Sequence, residues 1–183
     1  MKPVLTDPVK TEMRMAQLMA QQEASGFKFD LTRAEIVRAE LSQKQTQIEN
    51  RLRDIYRYYP GKVFTPKRTD KKSGYVAGAP MTKLVEFNPT SRQHIAWALQ
   101  TFRGARFTKM TDTGKPKVDE AILAEVRDMA VQQDNPQLKV DCELFIELLN
   151  LQKDLGQLSE GNNSWFNSVE GDGCIHHSCS LAT

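Results

Sequence analysis

Four residues near the end of the chain, Cys174, His176, His177 and Cys179, are of types that ligate zinc. Their spacing works against it. In an extended chain Cys174 and His176 face one way while His177 and Cys179 face the other. A tetrahedral site also normally draws on two separated pairs of ligands. We therefore expect no metal there. Gly114-Lys115 offers the chemistry of a phosphate loop without its pattern. The earlier glycine is missing, and Pro116 stands where a Ser or Thr would meet Mg²⁺. No Ser/His/Asp set is recognisable, and no carboxylate pair stands out as an acid/base or metal dyad. The remaining chemistry is the holding of anions. Asn88-Pro89-Thr90-Ser91-Arg92 reads as a capped helix start, whose free N–H groups and hydroxyls suit phosphate.

Charge points the same way. The formal net charge is only +2, but it is unevenly placed. Residues 60–83 hold Lys62, Lys67, Arg68, Lys71, Lys72 and Lys83 against Asp70, a local excess of +5. Residues 103–117 hold Arg103, Arg106, Lys109, Lys115 and Lys117 against Asp112, an excess of +4, which leaves −7 for the rest. Basic connectors on an acidic body suit a polyanionic partner touched by loops. Two solvated loops would show the same pattern.

Helices must position these connectors. Asp7-Pro8 predicts a helix start, and Gly26 a stop near Ser25. Val9, Met13, Ala16 and Ala20 share its apolar face. Phe27-Lys28-Phe29 reads as extended, and Asp30 or Thr32 as the cap of a long, polar second helix over 31–58. Residues 62–86 lack helical period, with short strands expected at 63–65 and 84–87. A third helix is predicted from Ser91 to about Phe102 and a fourth from Asp119 to Gln132. Asn135-Pro136 restarts the chain into a spine helix ending near Gly161. Leu144, Leu148, Leu151, Leu155 and Leu158 form one stripe on it, with Leu138, Cys142, Phe145 and Leu149 beside. Lys139, Asn150, Lys153 and Gln157 share a free strip, although a core helix with a solvated face reads the same. Aromatic and β-branched residues around Gly171-Asp172-Gly173 predict a C-terminal β-hairpin. The fold class expected is mainly α, an elongated antiparallel helical body with that short hairpin.

No targeting segment or membrane-spanning run is recognisable. Three cysteines without framework spacing fit a reducing compartment, so a cytoplasmic protein is expected.

The stretch Phe87-Asn88-Pro89-Thr90-Ser91-Arg92-Gln93-His94-Ile95 resembles the FNPxSxxQI signature in the thumb of family A (DNA polymerase I-like) DNA polymerases, bacteriophage branch. Other pieces fall in the family's order. Met15 to Asp30 is similar to the segment leading into the polymerase domain, and Tyr75 to Pro80 to the piece before the thumb signature. Thr108 to Glu120 resembles the thumb-tip loop, and Leu151-Gln152-Lys153 with Gly156 and Glu160-Gly161 the long return helix. Gly173 to Ser178 resembles the first palm strand, G-x-I-H-x-S.

The resemblance implies a lead-in over 1–30, a helical thumb over 31–165 with basic tip loops at 60–87 and 103–117, and a truncated start of the palm at 166–183. Its function would be to grip primer–template duplex through the backbone during DNA replication. Carried over by position, Asn88, Thr90, Ser91 and Arg92 would bind phosphate at a helix start. Lys109, Thr111 and Lys115 would sit at the tip, and Lys153 and Gln157 would face the minor groove or primer backbone. Asp154 departs from the basic character usual there. The sequence stops before the family's Thr-Gly-Arg motif, its palm aspartates and its fingers. A nucleotidyltransferase needs those aspartates to hold Mg²⁺. The chain is thus expected to be inactive alone, to hold no cofactor itself, and to act beside the remaining palm and fingers half of a split polymerase. Residues 60–83 lie where some phage members carry a longer basic insertion that docks thioredoxin; here the segment is short, which speaks against a thioredoxin-like processivity factor. The competing expectation is a stand-alone helical module that binds DNA or an acidic protein.

Overall fold

The computed structural model describes residues 7–176. The fold is mainly α, as expected, with two small antiparallel sheets. The elements are α1 (Pro8–Ser25), β1 (Phe27–Lys28), α2 (Leu31–Tyr56), β2 (Tyr58–Phe64), β3 (Met81–Glu86), α3 (Arg92–Arg103), α4 (Glu120–Gln132), α5 (Pro136–Leu155) and β4 (Cys174–Ile175). They fall into two compact units, one of Ser42–Lys153 and one built from the residues up to Leu41 and those from Asp154 onward.

Local capping sets most boundaries. The Asp7 carboxylate accepts from Val9 N–H (3.2 Å) with Pro8 in the first turn. Asp30 accepts from Arg33 N–H (3.0 Å), and Asp119 from Ile122 N–H (2.8 Å). Asn135 works in both directions. Its Oδ1 accepts from Leu138 N–H (3.1 Å) while its Nδ2 donates to the Arg103 carbonyl (3.1 Å). Each bond satisfies a helix-end group that has no partner within its own helix.

The larger unit holds a dense core. Leu52, Ile95, Leu99, Leu123, Phe145 and Leu148 are fully buried. The part of α5 in this unit buries both predicted stripes, and Cys142 among them has its thiol pushed up to about 12 by burial. One acid is buried too. Asp141 Oδ2 accepts from Tyr56 Oη (2.5 Å) and from Arg103 Nε (2.5 Å). Burial and the Asp141 bond together hold the Tyr56 hydroxyl well above the usual phenol range. Tyr56 packs on Phe87, Phe102 and Phe145, ring centroids 5.1–6.1 Å away. The buried charge is therefore matched by one cation and one hydroxyl within an aromatic wall.

One departure concerns residues 57–86. The second helix ends at Tyr56 rather than Tyr58, because Arg57 takes a left-handed φ of 49°. Tyr58 and Tyr59 then enter β2, which pairs antiparallel with β3 from Tyr58 opposite Glu86 to Phe64 opposite Met81. The first basic connector is thus a hairpin. A register shift between Pro60 and Val63 accommodates the proline. Gly61 sits there with Lys83 O so close that a Cβ would lie 2.6 Å from it. At the far end Asp70 accepts from Lys72 N–H (2.8 Å) and Ser73 Oγ (2.7 Å), closing a turn.

The smaller unit is lighter. The helical spine continues past Leu155 as a π-helical turn over Gly156–Glu160, wider than the α-helix expected there, and Leu155 and Leu158 are buried. Phe29 meets the edges of Trp165 and Phe166 (6.2 and 6.1 Å), and Arg38 lies over Phe166. Val169 bridges to Ile175 across the Gly171–Gly173 turn, which forms the expected hairpin. Its second arm, β4, also pairs with β1, Phe27 opposite Ile175. Phe166–Ser168, expected as strand, forms a 3₁₀ turn instead, with Ser168 Oγ and N–H bonded back to Ser164 O. Gly26 has φ 57°, and a Cβ there would meet Ile175 O and the His176 ring at 2.9 Å. Only glycine fits that approach. The predicted apolar face of α1 is uncovered: no residue of α1 is buried, and Val9, Met13, Met15 and Leu18 are exposed.

Candidate nucleic-acid interface

The helix start at Asn88–Arg92 is built by local hydrogen bonds. Asn88 Oδ1 accepts from Thr90 N–H (3.0 Å) and Thr90 Oγ1 (2.8 Å), which bends the chain into α3. Asn88 N–H donates to His94 Nδ1 (2.9 Å), so that nitrogen must be unprotonated. Burial holds the His94 imidazole below its ordinary range, in keeping with that bond. Ser91 is the N-cap but makes no side-chain capping bond. The first-turn N–H groups of α3 are thus not taken by their own cap, which leaves them for an anion.

The connector 103–117 returns beside this helix. Met110 pairs with Pro116, Thr111 N–H donates to Lys115 O (2.7 Å) and Gly114 N–H to Thr111 O (2.8 Å), a tight turn. Thr111 Oγ1 lies 2.9 Å from Thr113 Oγ1 and accepts from Lys115 N–H. Arg92 ties the connector to the helix by donating to the Val118 carbonyl.

Between α3 and this turn lies a cleft of about 420 Å³, lined by Tyr59, Arg92, Gln93, Ala96, Trp97, Gln100, Thr111, Thr113, Lys115 and Pro116. It unites three residues expected from the sequence, Arg92, Thr111 and Lys115. Among the described residues no carboxylate lines it. Lys115 has no ion-pair partner among the described residues. Tyr59 stacks on His94 at 3.8 Å and packs edge-to-face with Trp97 at 5.3 Å, so the cleft joins an aromatic floor to a cationic rim.

Asn88, Thr90 and Ser91 stand at the helix start and do not line the cleft. Lys109 is turned to Glu125 (Nζ to Oε1, 2.7 Å), an exposed pair of small worth. Lys153 is exposed in the last turn of α5. Gln157 belongs to the smaller unit and lines a shallow cavity of about 230 Å³ with Val37, Leu41, Asp154, Leu158 and Trp165. The sequence reading missed Gln93, Trp97 and Gln100. They recur at i, i+4 and i+7, a stripe that marks one helix face.

Of the residues weighed as zinc ligands, His176 has both ring nitrogens engaged, Nδ1 with Glu23 O (2.8 Å) and Nε2 with Asp172 Oδ2 (2.9 Å). His177 and Cys179 lie outside the described residues. Among the described residues no group of three His, Cys, Asp or Glu is placed to hold a metal ion. No described helix is long and apolar enough to cross a membrane.

No protein-family model matches the chain. It is 33% identical over 214 aligned positions to the DNA-directed DNA polymerase of Escherichia phage T7, and equally to that of Enterobacteria phage T3. Each alignment takes in 94% of this chain, and the chain spans 30% of the length of these relatives. Together with the FNPTSRQHI stretch that leads into α3, this makes the chain similar to these phage DNA-directed DNA polymerases over a region equal to 30% of their length.

Proposed function

We propose that this chain supplies a DNA grip for a phage-type family A polymerase, holding primer–template duplex by its sugar–phosphate backbone. The start of α3 and the 103–117 turn would be the contact surface, with Asn88, Thr90, Ser91 and Arg92 on one side and Lys109, Thr111 and Lys115 on the other. Lys153 and Gln157 would add contacts of their own. The observation that carries this reading is the acid-free cationic rim of the α3 cleft in a chain so similar to DNA polymerases. Contacts to phosphate position a duplex without reading its sequence.

Nucleotide transfer would fall to the palm and fingers of the complete enzyme, with Mg²⁺ held by palm carboxylates. The part played by the residues described is to bind and orient the duplex.

The test is fluorescence anisotropy with two duplexes of unrelated sequence over a salt series. The reading expects equal affinities and a steep fall of log K with log salt. Sequence-dependent affinity, or a flat salt response, would overturn it. A helical protein-interaction module is favoured by a single observation, the uncovered apolar face of α1.

A further inference from the structure

The α3 cleft is more than a cationic rim. Backbone phosphates need charge and hydrogen-bond donors; they make no use of an aromatic floor. Here Trp97 and Tyr59 line the cleft between two amide side chains, Gln93 and Gln100, with Arg92 and Lys115 beside them. At about 420 Å³ it falls within the range of small-molecule sites. Tyr59 is held in place by the His94 ring stacked on it at 3.8 Å, and Trp97 by edge-to-face packing with Tyr59 and Phe102, both at 5.3 Å. These rings are therefore set before any ligand arrives.

We propose that this cleft receives one nucleotide of an unpaired DNA strand, its base against Trp97 and Tyr59 and its phosphate between Arg92 and Lys115. This rests on the DNA-binding reading and adds a ligand to that site. An aromatic platform bordered by cations is the general means of holding single strands without sequence preference, because every base has a π-face. The amides of Gln93 and Gln100 each offer a donor and an acceptor to a base edge. Arg92 spends one N–H on the Val118 carbonyl and retains others for phosphate. An acidic peptide would satisfy the two cations but leave the aromatic floor without a partner.

The test uses the full chain carrying Trp165→Phe, which leaves Trp97 as its only tryptophan. Trp165 lies in the other unit, and phenylalanine keeps a ring against Phe29. Tryptophan emission is followed while adding an eight-residue oligothymidylate, an abasic strand of equal length and charge, or polyglutamate. Duplex anisotropy is measured in parallel on the same protein. The proposal expects saturable quenching by oligothymidylate, binding roughly tenfold weaker for the abasic strand, and little response to polyglutamate. Equal binding and quenching by the abasic strand would overturn it, since charge alone would then fill the cleft. Equal quenching by polyglutamate would overturn it in favour of an acidic protein. Salt-dependent duplex binding with no quenching by any strand would refute the cleft proposal while leaving the duplex grip intact. Loss of both duplex and single-strand binding would refute both.

Discussion

The two units handle charge and apolar surface in opposite ways. Ser42–Lys153 takes charge inside: Asp141 is buried and answered by Tyr56 and Arg103, with Phe87, Phe102 and Phe145 around the tyrosine. The smaller unit keeps its acid–histidine pair, Asp172 with His176, at an exposed turn, and leaves the apolar face of α1 uncovered. The first arrangement makes a rigid seat. Its cleft sits on α3, whose Ile95, Ala98 and Leu99 are fully buried, so a pull on Arg92 is resisted by the core. The second makes a surface with area to spare. A polyanion grip needs the former, because contacts that must hold a register cannot themselves move.

The largest effect that would break this contrast comes from Asp141. Asp141→Ala leaves the Arg103 cation without its partner and should cost about 3–5 kcal/mol, whereas Asp141→Asn keeps an acceptor for Tyr56 and should cost less. Urea denaturation of both variants checks it. A loss for the alanine variant under about 1 kcal/mol, as for a surface pair, would show that this charge is not integral to the core.

Next comes apolar burial. Leu148→Ala should cost about 2–5 kcal/mol, as for a fully buried leucine, while Leu18→Ala on α1 should stay within about 0.5 kcal/mol. Thermal melts of the two variants settle the ranking. Equal losses would mean that the α1 face is covered after all.

A smaller effect distinguishes the histidines. Burial lowers His94, whose Nδ1 accepts from Asn88 N–H. The Glu23 carbonyl, then Asp172, raise His176. For His94 the folded state binds fewer protons than the unfolded chain. Its contribution is full above the unfolded value of about 6.5 and is lost as pH falls through the lower folded value. For His176 the sign reverses: its contribution is full below about 6.5 and is lost as pH rises through the higher folded value. Asp172, lowered by the Cys174 N–H and by His176, contributes above its unfolded value and loses this as pH falls through its folded one. The exposed pair therefore works between the lowered Asp172 and the raised His176. NMR titration, assigned with His94→Gln and His176→Gln, should show one imidazole titrating below 6.5 and the other above. Coincident midpoints would erase the contrast.

What the sequence disclosed follows the range of the interactions involved. Helix boundaries at Pro8, Leu31, Glu120 and Pro136 were readable because each cap lies within three residues of the N–H that it serves. The α5 stripes were readable because burial on two sides writes a period of its own. The β2–β3 hairpin was only partly foreseen. Its Tyr58 and Tyr59 continue a helical pattern and become strand through pairing with Glu86 and Val85, far away in sequence. Asp141 could not be foreseen as buried, since its partners Tyr56 and Arg103 come from two other helices. At the candidate site, composition marked the cations, while the aromatic floor needed Tyr59 of one strand to meet Trp97 of a later helix. The π-turn over Gly156–Glu160 widens the winding of the spine, which the α-helical spacing of its leucines does not announce.

The most direct test of the DNA grip compares two lysines on the same connector. Lys115 rims the cleft without an ion-pair partner among the described residues, while Lys109 is paired with Glu125. The salt dependence of duplex binding should be measured by anisotropy for Lys115→Gln and Lys109→Gln. The account predicts that Lys115→Gln lowers the slope of log K against log salt by about one unit and weakens all sequences alike, with a smaller change for Lys109→Gln. A Lys115→Gln protein that keeps the wild-type slope would contradict the account, because the rim would then hold no phosphate.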